Sequence, residues 1–321
     1  MTSRAWLAGA SLLLAGTAAW AAKAPPPPPD SIRIPGDAVF PESLTSTADG
    51  TVFIGGAGSR MIYRAGPGEA DAKPWALAWS DNAGFLGVFA DAKSHTLWAC
   101  TRPGAVPGSK TPAPASLRAF DLSSGAQRAS YAFPNEGAVC NDMAIGNDGT
   151  LYATDTTNML VVRLKKGAKA LEVWAGADGS FGGKGGGLDG IAVLGNRVVV
   201  NTLTTSKLFS APIGPGGKAG KVTEIKLDRP IDRPDGMRSF GLKALLVAEG
   251  GSGGHLSKVV LKGNEGMRQV LKDGWPDGAV AVTVVGETAY LLEGQLALMR
   301  AADPKTRPHP FKATAVPVGK P

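Results

Sequence analysis

The sequence predicts an all-β protein, a six-bladed β-propeller with four-stranded blades around a central channel. Three observations support this fold class. Short β-branched or aromatic runs dominate the chain, and stretches with helical periodicity are almost absent. Each run follows a turn and another short strand, and most of these pairs are followed by a third and a fourth strand. The unit recurs at a spacing of about 47 residues, which is typical of propeller repeats.

The repeated strand pairs follow one another along the chain at regular distances. In order they are FPESLTSTADGTVFIGG, FLGVFADAKSHTLWACT, VCNDMAIGNDGTLYATDT, GLDGIAVLGNRVVVNT, PDGMRSFGLKALLVAE and PDGAVAVTVVGETAYLLE. The predicted third strands are MIYRAG, LRAFDL, LVVRLKK, KLFSAPI, LSKVVLK and LALMRA. The sequence leaves open which strand closes the ring. KATAVPV is a candidate outer strand for the last blade, and SIRIPG either competes for that place or pairs beside it. Both arrangements join the chain ends and protect sheet edges.

The ends and composition of the chain predict its compartment and exclude some partners. Residues 1–21 combine Arg4, an apolar run and small residues near Ala21, which is the pattern of a cleaved signal peptide. Residues 22–30 form a proline-rich linker, and 31–318 form a single propeller domain. We therefore expect a periplasmic or secreted protein without stable membrane insertion after signal cleavage. The net charge of +7 has no basic block behind it, so a nucleic-acid partner is not expected. Export permits a disulfide between Cys100 and Cys140, whose pairing the sequence leaves open.

Acidic and amide residues occupy the same place in several repeats. The first strand of a propeller blade lines the channel, so the residue before it lies at the channel mouth. Glu42 and Asn141 each lie eight residues before the glycine of an inner turn, and Asp189 and Asp235 fall within one position of that register. We expect these four side chains to converge at the mouth. Taken singly, each one is also explained as a residue that hydrogen-bonds its own loop.

Convergent carboxylates predict a cation site. Several carboxylates at one mouth repel each other unless protons or a cation neutralise them. A set of oxygen ligands suits a hard divalent cation, with Ca²⁺ first and Mg²⁺, Mn²⁺ or Zn²⁺ as alternatives. We predict Glu42, Asn141 and Asp235 as metal ligands and Asp235 as the catalytic residue that activates water. Second strands run back to the same mouth, and the predicted substrate-binding residues are Asn141, Asp142, Arg102, Asp189, Glu249 and Glu293.

At these residues the chain resembles the senescence marker protein/gluconolactonase/luciferin-regenerating enzyme family of six-bladed propellers, over roughly residues 38–300. PES supplies Glu42, CND supplies Asn141 and Asp142, and RPDGM supplies Asp235. The resemblance implies a divalent metal held by these residues and an Asn-Asp pair facing the substrate. One position departs from the family pattern, because Gly186 in GGGLDG stands where the family has a metal-binding Asn. The metal then loses one ligand, Asp189 substitutes, or the site is empty.

Two functions follow from these observations. The first is an exported metal-dependent hydrolase of the gluconolactonase-like type, acting on a small-molecule substrate such as a lactone or a similar cyclic ester. The second is a non-catalytic periplasmic propeller that binds a small molecule or a partner protein. Fold alone does not choose between them.

Overall fold

The computed structural model describes residues 26–77, 84–102, 112–183, 185–300 and 308–321. The predicted signal peptide and residues 22–25 of the predicted linker lie outside this part of the chain. Almost all regular structure in the described residues is β-strand, as the short β-branched runs predict. The strands form four-stranded antiparallel sheets that follow one another along the chain, the arrangement of a β-propeller.

Three of the sheets use four consecutive strands each. The first has β2 (Pro41–Ser46), β3 (Val52–Gly56), β4 (Met61–Ala65) and β5 (Lys73–Leu77); the second has β6 (Phe85–Asp91), β7 (Thr96–Thr101), β8 (Ser116–Asp121) and β9 (Gln127–Ala132); the third has β10 (Cys140–Ile145), β11 (Leu151–Asp155), β12 (Leu160–Leu164) and β13 (Glu172–Ala175).

The next sheet has eight strands. Its two antiparallel halves are β14 (Leu188–Leu194), β15 (Arg197–Thr202), β16 (Lys207–Pro212) and β17 (Thr223–Leu227), then β18 (Pro234–Phe240), β19 (Ala244–Glu249), β20 (His255–Lys262) and β21 (Glu265–Asp273). A short parallel contact joins them, in which Lys226 pairs with Glu265 and Leu227 with Gly266.

The last sheet closes the chain on itself. It contains β22 (Ala279–Val285), β23 (Thr288–Glu293), β24 (Phe311–Pro317) and the N-terminal strand β1 (Ser31–Ile34), in the order β22-β23-β24-β1. KATAVPV is therefore the third strand of this sheet, and SIRI pairs beside it as the outer strand. β1 thereby pairs with an edge of the sheet that would otherwise be exposed.

The prediction of a third strand at LALMRA is wrong, because Leu296–Arg300 forms the short helix α1. Its leucine, alanine and methionine residues favour helix and lack the β-branching that favours strands. Gln295, just before the helix, has a positive φ of 51° and ends the extended conformation of β23.

The core lies between neighbouring sheets. One cluster packs Val199 from β15 against Met237, Leu245 and Val247 from β18 and β19. Fully burying a side chain of this size contributes about 1.5–3 kcal/mol. Val198 and Val200, which alternate with Val199 along β15, pack into a second cluster, so both faces of the strand hold adjacent sheets together.

A disulfide joins Cys100 of β7 to Cys140, the first residue of β10, with a Cα–Cα distance of 5.1 Å. It links two neighbouring sheets and closes a loop with a sequence separation of 40. In the chain-entropy account, a loop of this length stabilises the fold by about 4 kcal/mol. Both sulfurs belong to fully buried residues, so the bond is part of the packed interior.

Across the described ranges, no helix combines the length and the apolar composition needed to cross a bilayer.

Candidate functional site

The inner strands meet in a ring and all bulge at the same place. The strands β2, β6, β10, β14, β18 and β22 contact one another in cyclic order. Each of these inner strands has one residue more than the second strand it pairs with. The extra residue comes directly after the first paired residue. Such bulges re-aim side chains, often beside functional sites. We call the first residue of each bulge a mouth residue; these are Glu42, Leu86, Asn141, Asp189, Asp235 and Val280.

Second-strand side chains hold two of these bulges in register. Thr154 of β11 accepts from the Asp142 N–H (3.1 Å) and donates to the Asp189 carbonyl of the next sheet (2.7 Å). Asn201 of β15 accepts from the Gly190 N–H (3.1 Å) and donates to the Asp235 carbonyl (2.6 Å). Each side chain therefore ties its own bulge to that of its neighbour and sets the direction of a mouth carboxylate.

The equivalent position in the second sheet is Cys100, which lies opposite the bulge of β6. Thr154 and Asn201 link their sheets to the next sheet by hydrogen bonds. Cys100 makes the same link with a covalent bond, its disulfide to Cys140. The disulfide ends next to Asn141, so it also positions a mouth residue.

Three carboxyl groups lie at the mouth: Glu42 and Asp189 are buried, and Asp235 is half-buried. Burial, and then the charges of Asp189 and Asp142, raise the pKa of Glu42 well above its ordinary value. Arg238 and Arg102 lower that pKa without cancelling the effect. Burial, and then the charge of Asp235, raise the pKa of Asp189 in the same way. A group whose charged form is so disfavoured gains stability from a proton or a cation.

Asp235 belongs to the same cluster. Burial, followed by the charge of Glu42, raises its pKa well above the usual range. Hydrogen bonds from Asp189 and from the Gly236 N–H act in the opposite direction. Each of these two carboxyl groups therefore influences the pKa of the other.

The hydrogen bonds at Asp189 are incomplete. Asn141 Nδ2 donates to Asp189 Oδ2 at 3.1 Å, while Asp189 Oδ1 is buried without a donor in the described part of the chain. The second oxygen of Asp142, Oδ1, is likewise buried and lacks a donor there. Buried carboxylate oxygens without donors are costly, so each of these oxygens would be stabilised by a cation or another neutralising partner.

An arginine that the sequence analysis missed lies beneath the carboxyl groups. Arg238 of β18 pairs with Asp142, with Nη1 2.6 Å from Oδ2, and both side chains are almost fully buried. Its Nη2 donates to the carbonyls of Leu44 (3.3 Å) and Val88 (3.1 Å), and its guanidinium lies 5.8 Å from the centre of the Phe89 ring. One guanidinium therefore binds the inner strands of three other sheets. The only sequence signal was a charged residue inside an inner strand.

The structure brings together most of the predicted site residues. Glu42, Asn141, Asp142, Asp189 and Asp235 converge, although they span almost 200 residues of sequence. Arg102 lies near enough to influence Glu42, and its Nη1 donates to the Ala57 carbonyl at 3.2 Å. The roles assigned to these residues stay predictions.

Two predicted substrate residues have other surroundings. Glu249 is fully buried and accepts from Arg268 Nε (2.8 Å), Arg268 Nη2 (2.9 Å) and the Asp232 N–H (2.6 Å). Both of its oxygens are thus engaged within one sheet. Glu293 is grouped with Asp277 and His309. Substrate binding by either residue stays a prediction.

Gly186 does not belong to the set of mouth residues. A Cβ at this position would lie 2.8 Å from the terminal carbon of Met159 and 3.4 Å from its sulfur, so an Asn here would displace Met159. The mouth residue of that strand is Asp189, three positions later. The sheet that lacks the expected Asn therefore still contributes an oxygen-bearing side chain to the mouth.

Comparison with known proteins defines the class of fold. No family model and no curated protein matches the chain. Among solved structures, a gluconolactonase from Xanthomonas campestris is 13% identical and superimposes with a TM-score of 0.61, covering 88% of this chain and 87% of the other. A luciferin-regenerating enzyme is 11% identical with a TM-score of 0.62, covering 89% and 94%.

Regucalcin from Agrobacterium tumefaciens, described as a calcium-binding protein, is 13% identical with a TM-score of 0.59, covering 91% and 97%. At this identity the likeness is one of fold. The chain is a β-propeller that resembles the gluconolactonase, luciferin-regenerating enzyme and regucalcin structures, as expected from PES, CND and RPDGM.

Proposed function

We propose that the chain is a metal-dependent hydrolase of the gluconolactonase-like type, with a lactone or a similar cyclic ester as substrate. The observation that carries the proposal is the group of Glu42, Asp189 and the half-buried Asp235, whose pKa values desolvation and mutual repulsion raise. The fold likeness supports the same class of activity. A protein seldom keeps three such groups together without a function that uses them.

The proposed blade count is six. The eight-stranded sheet consists of two antiparallel four-stranded halves joined by only two residue pairs, and each half has its own inner strand in the ring. Counting the halves as separate blades gives six blades with β1 as the closing strand.

The proposed metal ligands are Glu42, Asp189 and Asp235, with Asn141 beside them. In the described structure these three do not present ligand atoms within 4.8 Å of one another, so metal binding would draw their side chains together. Asp189 takes the place that the Asn of the family has in the resemblance, because its Oδ1 is the buried oxygen that lacks a donor. Ca²⁺ is the cation that this oxygen set suits best, and Mg²⁺ or Mn²⁺ are alternatives. When bound, such a cation polarises the ester carbonyl and makes a neighbouring water more acidic.

The side chains of the protein supply the remaining chemistry. Asp235 is the proposed base that takes a proton from the attacking water, since the crowded mouth raises its pKa and makes it a stronger proton acceptor. Asn141 Nδ2 holds Asp189 in orientation through the 3.1 Å hydrogen bond. Arg238 fixes Asp142 through their ion pair, and Arg102 is proposed to orient the substrate.

Hydrolysis of a panel of aliphatic and sugar lactones by the purified protein tests the proposal. We expect turnover that chelator abolishes and Ca²⁺ or Mn²⁺ restores, and a loss of at least about 100-fold in Asp235→Asn, because general-base catalysis contributes that much. Asp273→Asn, which changes an exposed aspartate, is the matched control and keeps full activity. Full activity of Asp235→Asn would overturn the mechanism.

A non-catalytic binding function is the second candidate. Two mouth residues, Leu86 and Val280, are apolar, and the Asn141 amide is already used on Asp189. Saturable binding of a lactone without turnover, in protein that contains its metal, would favour this function.

Export is proposed as well. The segment 1–21 has the pattern of a signal peptide, and the disulfide suits an oxidising compartment. Fractionation of cells that express the full chain tests this, with the mature protein expected in the periplasm or medium.

A further inference from the structure

A second group of metal-ligating side chains lies in the sheet that closes the chain. Asp277 precedes β22, Glu293 ends β23 and His309 precedes β24. The pairing of Ala279 with Glu293 places all three at the same end of the sheet. One ligand atom from each lies within 4.8 Å of the others, and His309 Nε2 is 2.8 Å from Asp277 Oδ2.

Glu293 differs from the residues at its own position in other sheets. Asp155 of β11 accepts from the N–H groups of Val139 and Asn158, and Glu249 of β19 accepts from Arg268 and the Asp232 N–H. Glu293 is only 6% exposed, yet its carboxylate has no hydrogen bond or ion pair to any described residue. A buried carboxylate is stable only when something neutralises it or donates to it. The neighbouring imidazole and Asp277 mark the side from which a cation would do so.

The backbone around His309 is already fixed. Gln295 is buried, its Nε2 donates to the His309 carbonyl at 2.9 Å, and its Oε1 accepts from the His309 N–H at 3.0 Å. The chain on both sides of α1 is thereby held together, and the imidazole stays beside Glu293. A metal ligand fixed in this way loses little conformational entropy when the metal binds.

We propose that Asp277, Glu293 and His309 bind a divalent transition-metal ion, with Zn²⁺ as the preferred ion, at a site that shares no residue with the carboxyl groups of Glu42, Asp189 and Asp235. One imidazole nitrogen with two carboxylate oxygens is a ligand set that suits Zn²⁺, whereas Ca²⁺ prefers oxygen ligands alone. Ligands about 2.0–2.2 Å from Zn²⁺ lie only a few ångströms from one another, which the cluster reaches after small side-chain movements. The ion would connect β22, β23 and the start of β24 in the sheet that closes the chain.

Zinc titration of the metal-free mature protein, made without a polyhistidine tag, tests the site. Calorimetry and thermal melting should show Zn²⁺ bound in Asp235→Asn protein, in which the mouth site is impaired. Adding His309→Ala or Glu293→Gln should weaken that binding at least about tenfold, since even the loss of a supporting contact costs this much. His95→Ala removes an exposed histidine from a turn and should leave Zn²⁺ binding unchanged.

The outcome of the zinc titration does not depend on lactone turnover. The mouth proposal fails if none of Ca²⁺, Mg²⁺ and Mn²⁺ binds to the wild type, and the zinc proposal is unaffected by that outcome. Circular dichroism of each variant verifies that it is folded before titration. Absence of Zn²⁺ binding in Asp235→Asn, or equal Zn²⁺ affinity with and without His309→Ala and Glu293→Gln, would overturn the inference.

Discussion

Arg238 is the residue whose environment most constrains the channel. It is buried, pairs with Asp142, and donates to main-chain carbonyls of the first two inner strands. Because the partners are removed from water, the loss of the cation leaves Asp142 buried without a counter-charge. The attraction between the two charges thus contributes less to stability than the free energy that is lost when one partner is removed and the other stays buried.

Arg238→Met should destabilise the protein by about 3–5 kcal/mol, the usual cost of breaking a buried ion pair. Urea unfolding followed by circular dichroism measures this. The double variant Arg238→Met/Asp142→Asn should recover part of the loss, because it removes the stranded charge. Arg128→Ala, which breaks an exposed pair with Asp121, is the control and should change stability by less than about 1 kcal/mol. An equal loss in both single variants would refute the role assigned to Arg238.

The mouth carboxyls also predict how stability depends on pH. Glu42, Asp189 and Asp235 have pKa values raised in the folded state, so the folded protein binds their protons more tightly than the unfolded chain does. Their stabilising contribution is complete below the unfolded pKa near 4 and is lost as pH rises through the folded pKa values. Metal-free protein should therefore melt at a higher temperature at about pH 5 than at about pH 8.

Differential scanning calorimetry of chelator-treated protein tests this trend. Asp189→Asn should flatten the pH dependence, while Asp273→Asn, which alters an exposed aspartate, should keep the wild-type slope. Saturating Ca²⁺ should also flatten it, since the cation replaces the protons. A melting temperature that falls between about pH 8 and pH 5 in the metal-free wild type would contradict the assigned pKa directions.

At the scale of elements, the bulges in the inner strands direct the mouth side chains toward one another. Thr154 and Asn201 hold them by hydrogen bonds, and Cys100 does so by a disulfide. These three residues occupy one position in successive second strands, directly opposite the bulge. Their side chains determine where the mouth carboxylates are placed.

Thr154→Val should cost about 2–4 kcal/mol, because it leaves the Asp142 N–H and the Asp189 carbonyl buried without partners. Thr154→Ser keeps the hydroxyl and should cost clearly less, which makes it the matched control. Chemical unfolding measures both, and Ca²⁺ affinity should fall only in Thr154→Val. Equal losses in the two variants would show that the methyl group, and not the hydroxyl, supports the bulge.

The same elements show what the sequence could reveal. The repeat of β-branched runs predicted the strand pairs, and the register of Glu42, Asn141 and Asp235 predicted their convergence. The repeat predicts a strand at LALMRA, but its leucine, alanine and methionine residues favour the helix that forms there. Arg238 and Thr154 were missed, because their partners lie in other sheets and no local pattern identifies a contact across the channel.

For the whole molecule, the closing sheet combines both ends of the chain. β1 pairs with β24, and Tyr290 of β23 donates to the Pro29 carbonyl at 2.7 Å. The ring of inner strands depends on this closure, because its first strand, β2, contacts its last strand, β22. Ring closure and the acidic mouth are therefore coupled features of one fold.

Calcium titration of the metal-free protein tests the central claim most directly. We predict one site at the mouth, a rise in melting temperature equivalent to about 2.7 kcal/mol at a free Ca²⁺ concentration of 100 times Kd, and loss of both in Asp235→Asn. His309→Ala and Asp273→Asn should bind Ca²⁺ as the wild type does. The absence of heat and of any melting shift with Ca²⁺, Mg²⁺ or Mn²⁺, or unchanged Ca²⁺ binding in Asp235→Asn, would contradict the account.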